Sequence, residues 1–361
     1  MQKCGKVRIY AMTHKKYEFP EDSLYCPLFV GAKQAADDFG YLRDDTGEHI
    51  SEQNPYYCEL TGLYWIWKNE KDADVAGLCH YRRYLQNNAG KLFNREQILQ
   101  ILSHYDVMTT RKVVLDCSYL EGFSGKHNRK DLLLTGEVIA ELYPEYRLDF
   151  ERLVHQNTTY FGNMMICKKT LLDNYAEWLF TILFALQKRV DMTGYNDYQK
   201  RLYGFISEIL LMVYLQHNHL RVYECDVAVI GEKKETRETL DAIGLYMAEG
   251  NPEGAKNYFR KIYRKRPDIL MEASDTGGEL KLCLQLFAVL DREDAQYGTN
   301  RVKNGSGDLS ELLAFIKESN RAAQQCAKGD EALWKAMLTE DKKNEAALEI
   351  ALHLQREIAK Q

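Results

Sequence analysis

Asn54-Pro55-Tyr56-Tyr57-Cys58-Glu59-Leu60-Thr61-Gly62-Leu63-Tyr64-Trp65-Ile66-Trp67-Lys68-Asn69, followed by Val75-Ala76-Gly77-Leu78-Cys79-His80-Tyr81-Arg82-Arg83-Tyr84, is the stretch that decides the fold. Its first half reads as a helix. Asn54 suits an N-cap, and Pro55 at the first helical position gives up a donor that has no intrahelical partner there. Tyr56, Leu60, Leu63 and Trp67 recur at helical spacing, and Tyr57, Tyr64 and Ile66 widen the apolar face. The second half is a short apolar strand that ends on two adjacent arginines between aromatics. A helix feeding a buried strand is a unit of an α/β sheet.

The pattern repeats on both sides. Lys6 to Thr13 is β-branched and aromatic, and Asp106 to Thr110 and Phe161 to Cys167 are further strand candidates. The last of these runs into a helix carrying Leu171, Tyr175, Trp178, Ile182 and Leu186. Strands alternating with helices predict a three-layer sheet sandwich over residues 1–234. From about Glu235 the chain turns helical and charged, giving an all-α tail over 235–361. Leu245, Tyr246, Gly250, Ala255, Phe259 and Pro267 fit the offsets of a tetratricopeptide-like pair, with a weaker echo at Ala327, Gly329, Ala332 and Trp334. About two helical pairs are expected. A plain helical bundle fits as well, and such a tail offers a surface for a protein partner.

Composition narrows the function. The 361 residues are 45% hydrophobic and 28% charged, so a sizeable core can form. A net charge of −5 carries no basic footprint for nucleic acid. The longest strongly apolar run, Trp178 to Leu186, is far short of the ~20 residues that span a bilayer. The first ten residues lack the apolar core of a signal peptide, so the protein is expected in the cytoplasm, with peripheral attachment to the inner membrane face left open. Nine scattered cysteines without a Cys-x-x-Cys pair read as reduced thiols. Twenty-four tyrosines suit sugar or nucleotide rings, or amphipathic packing.

The chemistry concentrates at strand ends. His80-Tyr81-Arg82-Arg83 follows an apolar strand, where ligands bind in open α/β sheets. Forked guanidiniums there match phosphate oxygens, though a solvated arginine pair fits too. Thr13-His14-Lys15 follows the first strand, and Asp44-Asp45-Thr46-Gly47 reads as a turn that could hold a base or ribose hydroxyl. Asp72-Ala73-Asp74 has the spacing of a divalent-metal site, for manganese or magnesium, but precedes its strand; Glu224-Cys225-Asp226 has metal-compatible spacing too. Glu208 is the one charged residue between Gly204 and Gln216, a helix apolar on almost every face. It needs a partner among Arg82, Arg83 and Arg201, or a role as a general base. His127 and Asp131 lie in a polar stretch that reads as a mobile lid or a surface loop. The P-loop, dinucleotide, zincin and nucleophile-elbow motifs are all missing from the sequence.

These residues, in this order, resemble a bacterial family of glycosyltransferase-like proteins from capsular and exopolysaccharide gene clusters. The resemblance runs from Thr13-His14-Lys15 through Asp44–Gly47, the two opening blocks and Gly162-Asn163-Met164-Met165-Ile166-Cys167-Lys168-Lys169 to Gly204-Phe205-Ile206-Ser207-Glu208. It covers about residues 6–231 and departs at Glu48-His49-Ile50-Ser51, where the family tends to read Asn-Ile-Ser. It implies a GT-A-like, Rossmann-related fold, a nucleotide-sugar donor, often UDP-linked and in some members galactose, and a glycan or polyprenyl-linked acceptor. Position then suggests roles. Arg82, Arg83 and His80 would act on the departing diphosphate, with Glu208 as base. Thr13, His14, Lys15, Asp44, Asp45, Tyr81 and Asn163 would hold the donor, and His127, Asp131 and Tyr160 would face the acceptor. The competing classes are a scaffold built on a degenerate transferase domain, and a metal hydrolase using His14, His80 and Asp74.

Overall fold

In the computed structural model described here, covering residues 5–36, 39–230, 234–270 and 274–358, the first strand already sorts the core. Tyr10 and Met12 point to one face of a sheet with Ala76 and Leu78, while Ile9 and Ala11 point to the other with Val75 and Cys79. This is the period-two alternation of pleated backbone, here apolar on both sides as in a sheet covered on both faces. The chain divides into two units, Met1–Ile230 and Gly231–Gln361. The boundary expected at 234/235 adjoins residues 231–233, which lie outside the described residues.

Among the described residues of the first unit there are ten strands: β1 (Val7–Thr13), β2 (Tyr25–Phe29), β3 (Leu42–Arg43), β4 (Val75–His80), β5 (Arg83–Gln86), β6 (Val107–Thr110), β7 (Val113–Val114), β8 (Thr158–Thr159), β9 (Met165–Lys168) and β10 (Val222–Val229). Eight form one mixed sheet in the order β3-β2-β1-β4-β5-β10-β6-β9, and β9 also pairs antiparallel with β4; β7 and β8 pair separately. The β3–β2, β2–β1 and β1–β4 pairs are parallel, and β5 joins β4 antiparallel. β9 approaches β4 closely because Gly77 has no side chain. A Cβ there would lie 2.7 Å from the Met165 carbonyl oxygen.

The layers are unequal. Helices Leu60–Asn69, Lys169–Gln187 and Leu202–His217 bury Leu63, Ile66, Leu179, Leu183, Ile206 and Leu210 with Tyr10, Met12 and Leu78 in one core cluster. In the opposite cluster the short helix Arg95–Ile101 contributes Ile98.

The helix expected from Asn54 onward is broken. A single turn, Asn54–Tyr57, stops at Cys58, whose φ of 52° and ψ of −129° throw its carbonyl out of line before Leu60 restarts the helix. Asn54 is not the N-cap. Its Nδ2 donates forward to the stranded Cys58 carbonyl at 2.8 Å.

Asp44 ties this corner together. It is 0% exposed and accepts from the backbone of Gly31 (2.9 Å) and Ala32 (3.0 Å) and from the hydroxyls of Ser51 (2.5 Å) and Thr61 (2.6 Å). Asp45 is held by Arg43 at 2.8 Å. The donor-binding role expected of both is therefore corrected: their oxygens serve the fold.

The second unit holds α-helices Lys234–Ala248, Pro252–Lys265, Glu279–Tyr297, Leu309–Ala327, Ala332–Glu340 and Asn344–Ile358, with no strand among the described residues. That is more than the two pairs expected. Ala255 and Phe259 are buried in its core. In neither unit is a described helix long and apolar enough to cross a membrane.

Asp44→Ala would take the acceptor from four donors, of which only the Thr61 hydroxyl has another, the Cys58 carbonyl at 3.2 Å, a loss of about 3–5 kcal/mol of unfolding free energy. Asp45→Ala removes only a half-buried pair with Arg43, worth about 1 kcal/mol. Denaturant melts of the two variants should differ by at least the gap between these figures.

Candidate active site

The carboxyl end of β4 turns sharply. Tyr81 and Arg82 form the corner, and Arg83 returns as β5 with its backbone opposite His80. Neighbouring residues therefore leave on different sides. Arg82, 7% exposed, donates from Nε to the Ile230 carbonyl at 3.3 Å and accepts from the Ile230 N–H through its own carbonyl. Arg83 lies against Gly162, whose φ of 90° suits glycine and whose added Cβ would come within 3.2 Å of the guanidinium. The expected pairing of the two guanidiniums is corrected: Arg82 is anchored to Ile230 just past β10, and Arg83 alone lies against Gly162.

Around Arg83 the structure gathers groups far apart in sequence. His80 Nε2 donates to the Gly162 carbonyl at 2.6 Å. The Gly162 N–H donates to Glu208 Oε1 at 2.8 Å. Asn163, held in the left-handed region at φ 51°, donates from Nδ2 to Glu59 Oε1 at 2.8 Å and to the Gly204 carbonyl at 3.1 Å. Arg201 donates to Cys58 Sγ at 3.3 Å. Three features, the Cys58 break and the positive φ values of Gly162 and Asn163, bend backbone into this recess. Such strain persists only where the surrounding structure over-determines it.

The electrostatics follow from desolvation. Burial raises the Glu208 carboxyl to about 8; the Gly162 N–H opposes this, nearby Glu59 adds to it, and Arg83 and Arg201 pull it down. Burial lowers His80 to about 4, with Arg83 adding to the effect, so the ring is neutral at pH 7 and Nδ1 carries its lone pair. Burial pulls Arg83 below its usual value, against Glu59 and Glu208. Yet Arg83, Glu59 and Glu208 all keep some solvent contact, so they line a recess rather than fill a sealed core. Among the described residues Arg83 makes no hydrogen bond or ion pair of its own. A guanidinium that is desolvated but unbonded is prepared to meet an anion.

Beside this recess, at the ends of β1 and β4, His14 and Tyr17 pack edge-on against Tyr81 at 5.6 and 4.9 Å, and Lys15 Nζ lies 5.2 Å from the Tyr81 ring. Thr13 Oγ1 is used in a local turn, donating to the Lys15 carbonyl at 2.7 Å.

Other expectations are corrected. The 126–131 segment is no free lid. His127, 6% exposed, stacks among Phe123, Tyr198 and Phe205, and Asp131 is buried and accepts from Tyr195 at 2.7 Å. Tyr160 donates to Glu224 at 2.9 Å and lines a separate hollow of about 460 Å³ with Lys112 and His219. Asp72 and Asp74 sit at the opposite end of β4 from His80, and Asp74 accepts from the Lys6 N–H at 2.7 Å. They do not fit a metal at this site, and they break up the His14, His80 and Asp74 cluster. Among the described residues no three or more His, Cys, Asp or Glu side chains converge as a metal site would need. Asp226 pairs with Arg111 at 2.5 Å.

Sequence reasoning missed Glu59 and Gly162. Glu59 sits inside the opening block, but nothing local marks the break that aims it. Gly162 acts through its peptide, which has no side-chain signature.

A mixed sheet with a charged recess at the end of β4 makes this an α/β protein with its polar groups gathered where open sheets of this class bind ligands. The chain belongs to the family described as Domain of unknown function (DUF4422), whose model matches residues 8–219. No curated protein matches it in sequence. It is similar to the solved apo structure of WbbM, a bifunctional glycosyltransferase, with a TM-score of 0.56 and 26% identity over 67% of this chain. The match spans 52% of that chain, about half its length.

Glu208 sets a pH test of stability. Its folded value near 8 exceeds the unfolded value near 4.5, so the folded state binds the proton more tightly between them. Its contribution is fully present below about pH 4.5 and lost as pH rises toward 8, a change on the order of a few kcal/mol. Melting of Glu208→Gln between these limits should fall less with pH than that of wild type; parallel curves would contradict the desolvated carboxyl.

Proposed function

We propose that this chain is a glycosyltransferase that moves a hexose, galactose being one candidate, from a UDP-linked donor to a glycan or lipid-linked oligosaccharide acceptor in surface polysaccharide synthesis. The observation that carries the reading is the unbonded, desolvated Arg83 beside Glu208 at the end of β4. The likeness to a bifunctional glycosyltransferase supports it.

The residues divide the work by position. Arg83 puts fixed positive charge where the departing diphosphate develops negative charge, and Arg201 adds to that field. Glu208 takes the proton from the acceptor hydroxyl as its oxygen bonds to the sugar C1. The bond from C1 to the phosphate oxygen breaks, and its electron pair leaves with the diphosphate. His80 is a positioning residue: it holds the Gly162 carbonyl, and the N–H of Gly162 aims the Glu208 oxygen. Tyr81, His14 and Lys15 form an aromatic and cationic wall beside the recess that suits the nucleotide.

The base form of Glu208 is the minority at pH 7, so kcat/KM should rise with pH and level off above about 8. Glu208→Gln should lose that rise and about 10²–10⁴ in kcat. Arg83→Met should raise the concentration of UDP needed for half-maximal thermal stabilisation. A Glu208→Gln enzyme of normal rate and unchanged pH profile would remove the proposed base.

A further inference from the structure

The helix Pro252–Lys265 carries the densest positive charge in a chain whose net charge is −5. Between Lys256 and Arg266 there are six cations and no acid. Two are spoken for: Lys256 is buried against Glu253 and Asp291, and Arg266 bonds Asp268. The other four, Arg260, Lys261, Arg264 and Lys265, are exposed and make no hydrogen bond or ion pair among the described residues.

Their spacing puts them together. Positions 260 and 264, and 261 and 265, are one helical turn apart, so all four share one face. At 1.5 Å per residue they span about 8 Å along the axis, within one Debye length at physiological salt, and act as a single field. The helix dipole favours cations in the last turn and accounts in part for Arg264 and Lys265. It does not account for like charges stacked at i and i+4, which repel without a counter-charge. Tyr263, 41% exposed, borders this face and stacks on Phe259, which with Ala255 anchors the helix in the core of its unit.

We infer that this face docks on an anionic lipid surface. A flat row of unpaired Lys and Arg with an exposed tyrosine matches a headgroup layer, where each cation adds to binding and an aromatic ring sits at the interface. Nucleic acid is the poorer match, because a single short stripe on an acidic protein cannot track a phosphate backbone. The inference stands apart from the transferase reading, since vesicle binding needs neither donor nor acceptor.

The test uses the full chain and two vesicle types, phosphatidylcholine alone and phosphatidylcholine with about one-third phosphatidylglycerol. Sedimentation should show binding only to the anionic vesicles and its loss as salt rises. Lys261→Glu with Arg264→Glu should weaken that binding by roughly thirtyfold or more, the loss expected for two cations. The charge-matched pair Lys317→Glu with Lys328→Glu, also on exposed positions, should change it little. Circular dichroism of both variants should match wild type. Equal binding to both vesicle types, equal loss in both variants, or binding of single-stranded RNA in place of vesicles would overturn the inference.

Discussion

The peptide of Gly162 is the pivot of this molecule. Its carbonyl accepts from His80 and its N–H donates to Glu208, so the two planar units that meet at the Gly162 Cα fix a neutral ring on one side and a desolvated carboxyl on the other. Arg83 packs beside it where a side chain on residue 162 would intrude. The recess is costly by itself. It gathers two carboxyl groups and two guanidiniums where water reaches them only in part, with a left-handed Asn163 and a broken helix at Cys58. Stability would be served as well by apolar residues there. The arrangement makes sense when a charged ligand completes it.

The scaffold explains how such a site can exist. Gly77 lets β9 close on β4, which brings Met165 and the preceding Gly162-Asn163 turn to the end of the strand. The apolar helix Leu202–His217 packs beneath and presents Glu208 upward, while Arg201 at its start turns back to Cys58. Asp44 then fastens the Gly31 and Ser51 segments to Thr61 at the head of the next helix. The carboxylate that looked available for a ligand is the one that holds the corner shut.

How much was legible follows from where the information lies. β1, β4 and the helix Lys169–Gln187 announce themselves by period and run length, and each forms close to where the residues place it. Glu208 stands out because a lone charge on an apolar helix must be accounted for. β10 was not read as a strand, since the acids Glu224 and Asp226 interrupt its pattern, and tertiary partners Tyr160 and Arg111 satisfy them. The parting of Arg82 from Arg83 is set by a corner that only pairing with β10 defines. Glu59, His80, Gly162 and Glu208 meet across nearly 150 residues of chain. No local pattern encodes a meeting of that kind.

The central claim is that the anion of an activated sugar sits on Arg83. A crystal structure of the full chain soaked with UDP tests it most directly. The account predicts diphosphate oxygens within hydrogen-bond distance of the Arg83 guanidinium, with Glu208 facing the open side of the leaving oxygen. UDP bound elsewhere, with Arg83 untouched and turned from the nucleotide, would contradict it.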